Sequence, residues 1–131
     1  MATATEAKTP GQLFALVFGV VYILVGLVGF AYLDEPQEIF GIFGVDMLHN
    51  IAHLGIGGLL VFGSRTPALA KTINLVVGIV YLLLAILGFA SVLDEDTVLH
   101  INSADNILHI VTAVLALYFG TAGGRTGTAT P

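Results

Sequence analysis

Four long apolar runs, separated by short polar connections, set the limits on what this chain can fold into. They cover about Gly11 to Leu33, Val45 to Gly63, Ala68 to Leu93 and Ser103 to Gly120. A helix that crosses the hydrocarbon core of a bilayer needs about 17–25 predominantly apolar residues, and each run meets that length. Of the 131 residues, 56% are hydrophobic and 10% charged, against about 25% charged in an ordinary soluble domain. The expected fold is all-α: an integral membrane four-helix bundle at residues 11–120, with flexible cytoplasmic tails at 1–10 and 121–131. No linker to a second domain is seen between the runs. The first run is preceded by a single lysine, Lys8, and lacks a small-x-small cleavage pattern, so it is read as a retained helix rather than a signal peptide.

Charge placement orients the helices. All four basic residues, Lys8, Arg65, Lys71 and Arg125, lie near the first run's start, in the second connection with the adjoining helix start, and in the C-terminal tail. Eight of the nine acidic residues lie in or beside the first and third connections. The positive-inside rule then puts both termini in the cytoplasm and the acidic loops outside, giving a multi-pass protein of the cell's inner (plasma) membrane. Its partners are the bilayer and either further copies of itself or a larger membrane complex, not nucleic acid. Cysteine is absent, which excludes disulfides and thiolate ligands.

The chain repeats itself. "GVVYILVGLVGFA" at Gly19 to Ala31 and "GIVYLLLAILGFA" at Gly78 to Ala90 are identical at seven of thirteen positions. Thr9-Pro10 and Thr66-Pro67 open the two copies, an N-cap hydroxyl followed by a proline suited to the first helical turn, and Gln12 completes a capping box in the first. An acidic "LDE" follows each copy, at Leu33 to Glu35 and Leu93 to Glu95. The expectation is two out-and-back helical hairpins, residues 9–63 and 66–120, in one orientation and related by an axis along the membrane normal. Gly19, Gly26 and Gly29, repeated as Gly78, Ala85 and Gly88, form a small-residue stripe that suits close helix packing.

Each return helix opens with a histidine motif, "HNIAH" at His49 to His53 and "DNILH" at Asp105 to His109. A spacing of four stacks His49 with His53, and Asp105 with His109, on one helix face. With return helices starting near Asp46 and near Ser103 as N-cap, a rise of about 1.5 Å per residue buries His53 and His109 roughly 9–11 Å below the outer ends. Two kinds of role follow. His49, His53, Asp105 and His109 are the right donors for zinc, iron or another borderline transition metal, and His53 with His109 can be imagined as axial ligands to a haem, with Gly55, Gly57 and Gly58 making room. Alternatively Asn50, Asn106 and the histidines, joined by Tyr22 and Tyr81, form a polar network that fixes which helix faces meet. No "HExxH", nucleophile–base pair or phosphate loop is present, so the favoured function is a non-enzymatic scaffold or accessory subunit, with extracytoplasmic-side metal or haem binding as the alternative. His100 and Asn102 read as solvated loop residues, and "IFGIFGV" at Ile39 to Val45 as a segment at the outer interface or capping the helices.

The order of a hairpin, "LHNIAH", a second hairpin and "NSADNILH" resembles a bacterial, largely actinobacterial, family of small four-helix membrane proteins catalogued as a domain of unknown function. The resemblance runs from Gly11 to Gly120, with the motifs at His49, Asn50, His53, Asp105, Asn106 and His109. It implies a topology and a polar signature, and it implies no activity or cofactor.

Overall fold

The structure, a computed structural model, describes residues 6–124. Most of the two expected tails, with Arg125, lies outside those residues. Among the described residues there are four α-helices: α1 (Pro10–Gly29), continued by a 3-10 turn at Phe30–Tyr32, α2 (Met47–Gly63), α3 (Pro67–Phe89) and α4 (Ser103–Phe119). A two-residue strand pair, β1 (Glu38–Ile39) and β2 (Phe43–Gly44), precedes α2. Helix α1 with its 3-10 turn, and α3, are each 23 residues long and apolar enough to cross a membrane, whereas α2 and α4 are shorter apolar helices.

Local chemistry fixes where each helix begins. The Thr9 hydroxyl accepts from the Gln12 amide at 3.2 Å while the Gln12 side chain accepts from the Thr9 amide at 3.0 Å, the reciprocal bonding of a capping box. Thr66 caps α3 through the Leu69 amide, and Asp46 caps α2 through the His49 amide at 2.6 Å. Helix α4 departs from expectation, because its cap is Asn102 and not Ser103. Both residue types cap well, but only Asn102 has an aspartate three positions on. Asn102 Oδ1 accepts from the Asp105 amide at 3.1 Å, and Asp105 Oδ2 accepts from the Asn102 amide at 2.9 Å.

Helix α1 lies chiefly against α2, and α3 chiefly against α4. Glycine makes the first contact possible: a Cβ at Gly19 would stand 2.8 Å from the Gly57 carbonyl oxygen, and one at Gly57 would stand 2.7 Å from that of Gly19. The backbones therefore meet where a methyl group would hold them apart. Val61 also packs on Gly19, and Leu117 packs on Gly78 in the corresponding place. At the end where α1 starts, Gln12 Nε2 and Lys8 Nζ both donate to the Ser64 carbonyl at 3.0 Å, and Asn74 Nδ2 donates to the Gly11 carbonyl at 3.0 Å. The Ser64 carbonyl, at the C-cap of α2, is one that a helix end leaves open, while Asn74 ties α3 to the start of α1.

The opposite end, where α2 and α4 start, is closed by the first connection. The "IFGIFGV" segment folds on itself as the antiparallel pair, Glu38 opposite Gly44 and Ile39 opposite Phe43. Ile39 and Val45 are buried, while Phe40 and Ile42 face outward. Two bonds tie this hairpin to the beginning of α4: Gly44 N donates to Asp105 Oδ2 and Asn102 Nδ2 donates to the Ile42 carbonyl, each at 2.9 Å. Asn102, expected as a solvated loop residue, is in fact both a helix cap and a strut to the hairpin.

Candidate metal centre

Histidines separated by four residues share a helix face, and α2 turns that face inward. His49 is 3% exposed and His53 5%, with ring centroids 4.4 Å apart. From α4, His109 comes in at 2% exposure, its ring 6.1 Å from that of His49. One ring nitrogen from each of the three lies within 4.8 Å of the other two. Nitrogens bound to one tetrahedral ion at about 2.0–2.1 Å stand roughly 3.3 Å apart, so the rings need only draw together by about 1.5 Å or less, a movement within the reach of side-chain torsions.

The same rings lack partners in the protein. Nδ1 of His49, Nδ1 of His109 and both nitrogens of His53 are buried without a hydrogen bond. A buried polar atom without a partner costs about 1–3 kcal/mol, and here four such atoms gather in one place. A cavity of about 30 Å³, bordered by the three histidines with Tyr81, Leu99 and Ile101, lies among them. That holds one ion or one water. It does not hold a porphyrin, which needs a pocket of several hundred Å³, so His53 and His109 as axial haem ligands do not fit this geometry.

Asp105, expected as a fourth ligand, is engaged elsewhere. Its Oδ2 accepts from the Gly44 and Asn102 amides, and the aspartate is not among the converging groups, which are His49, His53 and His109. Asp105 is thus held toward the hairpin and Asn102 rather than grouped with the three histidines.

The tyrosines and asparagines take other places than a Tyr–His–Asn hydrogen-bond network requires. Tyr22 and Tyr81 flank the cluster with their rings, Tyr22 at 5.2 Å from His53 and Tyr81 edge-on at 5.1 Å from His109. The Tyr22 hydroxyl pairs with the Thr112 hydroxyl at 2.6 Å instead of an imidazole. Thr112 was not singled out by the sequence, although it lies three residues beyond His109 and so on the same face. The carboxamides of Asn50 and Asn106 lie on Gly29 and Gly88, where a Cβ would overlap them. Asn50 Oδ1 and Nδ2 and Asn106 Oδ1 make no hydrogen bond within the protein.

The family model described as "Domain of unknown function (DUF4383)" matches residues 12–122. No curated protein and no solved structure matches the chain. With almost the whole helical region covered, from Gln12 at the first cap to the turn after α4, the chain belongs to this DUF4383 family.

Proposed function

We propose that the protein is a multi-pass membrane four-helix bundle that binds one transition-metal ion on its extracytoplasmic side through His49, His53 and His109. The observation that carries this reading is the convergence of three buried ring nitrogens within 4.8 Å around a space of ion size. Neutral imidazole is a common ligand for zinc, copper, iron and nickel, and three such ligands leave a fourth position open on a tetrahedral ion.

Membrane insertion is supported by the inside-out distribution of side chains. Asn50, Asn74, Asp105 and Thr112 are buried, whereas Val17, Leu24, Leu83, Ile107 and Val114 are each at least 55% exposed. Lipid suits such an apolar exterior, and the basic residues near both termini and the second connection, with the acidic residues in and beside the first and third connections, support cytoplasmic termini. The shared Thr-Pro starts, the Gly19/Val61 and Gly78/Leu117 contacts and the paired Asn–Gly contacts support two like hairpins, residues 9–63 and 66–120, about an axis along the membrane normal. Binding, not catalysis, is the activity proposed.

A second reading is favoured by the seating of Asn50 on Gly29 and of Asn106 on Gly88: the polar cluster specifies helix pairing in a scaffold or accessory subunit. Elemental analysis of detergent-purified protein separates the two. About one metal ion per chain, lost when His53 or His109 is replaced by alanine in a protein that keeps its helicity, supports the metal centre. Less than about 0.1 ion per chain after mild purification and loading would leave the scaffold standing.

A further inference from the structure

His53 borders a second space besides the cavity between the histidines. This is a pocket of about 210 Å³ between α1, α4 and the β1–β2 hairpin, lined by apolar side chains such as Leu24, Val28, Phe40 and Phe43 and by two polar ones, His53 and Asp105. For scale, an apolar cavity of about 150 Å³ accepts a benzene ring. Leu24, Val28 and Phe40 at its mouth are 56%, 41% and 71% exposed, so on the proposed topology the pocket opens sideways to lipid.

Of the two polar side chains, Asp105 already accepts the Gly44 and Asn102 amides through Oδ2, so the unpartnered group facing a ligand is His53. Neither of its ring nitrogens has a hydrogen-bond partner in the protein, and the residue is 5% exposed. Neutral imidazole always carries one N–H. Whichever nitrogen binds a metal, and equally when none does, the other keeps a proton that no protein group accepts. A molecule in the pocket relieves that loss if it brings an oxygen acceptor to this depth. His53 is the seventh residue of α2, about 9 Å along the axis from the helix start, below the interfacial level at which the ester groups of phospholipids lie. A compact ring can carry its oxygen that far, and the Phe40 and Phe43 rings offer aromatic walls.

We propose that this pocket binds a neutral, bilayer-soluble carbonyl-bearing ring of the quinone type, whose carbonyl oxygen accepts the free N–H of His53. The inference stands on the unpartnered ring and the pocket and does not need a bound metal.

The test is a titration of the full chain, labelled with ¹⁵N-histidine, in detergent micelles with a decyl-substituted benzoquinone, with zinc counted in the same samples. The expected result is a saturable shift of the His53 ring resonances, with the Kd raised at least tenfold by Val28→Trp, which fills the mouth. Val114→Trp, at an exposed position on the far part of α4, leaves the Kd unchanged. Decylbenzene, which has no carbonyl, leaves the His53 N–H resonance where it was. An unsaturable response, an equal response in both tryptophan variants, or the same His53 shift on adding phosphatidylcholine alone overturns the proposal. Site-specific quinone binding without zinc sinks only the metal reading, and zinc without site-specific quinone binding sinks only this one.

Discussion

The side-chain amide of Asn50 rests on Gly29 at the spot a Cβ would occupy, and Asn106 rests on Gly88 in the same way. Each pair joins the end of one helix to the start of the next. Alanine at either glycine must push the carboxamide aside, and overpacking of this kind costs about 1–3 kcal/mol. Gly29→Ala and Gly88→Ala should each lower the thermal midpoint of the detergent-solubilised protein, followed by circular dichroism. Gly55→Ala, where nothing stands within 4 Å of the added Cβ, should leave it unchanged or slightly raised, as alanine favours a helix over glycine.

Metal affinity should divide His49, His53 and His109 from Asp105. Alanine at any of the three histidines removes a ligand and should weaken zinc binding, measured by chelator competition, by more than the 10- to 100-fold typical of a group that only supports a ligand. Asp105→Ala should keep the stoichiometry of one ion. Its cost falls on stability, because the amides of Gly44 and Asn102 lose their acceptor, and hydrogen bonds to charged groups are worth about 1.5–3 kcal/mol. An Asp105→Ala protein that folds fully and has lost zinc would restore the aspartate as a ligand.

The Tyr22–Thr112 pair is a bond between α1 and α4, which also meet where the Phe14 and Phe119 rings stack. A double-mutant cycle with Tyr22→Phe and Thr112→Val should give a coupling of about 0.5–1.5 kcal/mol. Additive losses would show that the two hydroxyls find other partners.

Because cysteine is absent, single cysteines report topology without background. Arg65 and Glu35 are both exposed and lie in connections at opposite ends of the helices. A membrane-impermeant maleimide applied to intact cells should label Glu35→Cys and spare Arg65→Cys until the membrane is opened. The reverse pattern would invert the proposed orientation.

Much of the fold was legible because its signals are local. Thr9, Pro10 and Gln12 lie within four residues and form the cap they suggest, and His49 and His53 share a face by spacing alone. What stayed hidden depends on residues distant in sequence. Asp105 has the spacing of a ligand, but its Oδ2 accepts from the amide of Gly44, 61 positions away, a partner that only the folded hairpin brings near. Tyr22 has reach toward the imidazoles, yet its hydroxyl pairs with one 90 positions on, that of Thr112. The cap of α4 was misplaced by one residue because Asn102 and Ser103 are both good caps, and the deciding factor was which of them Asp105 could answer.

The hairpin strapped to the start of α4 bears on the order of assembly. Two of the three histidines belong to α2, the third belongs to α4, and the strap over them is fastened by Asp105 and Asn102. A nascent chain that has delivered only its first half offers an ion two imidazoles under an unfastened cover. On the proposed metal reading, the three-imidazole site would form only when α4 packs beside α2. On that reading a bound ion would mark a chain in which α4 has packed against α2, and a chain lacking α4 would compete poorly for metal with the intact copies around it.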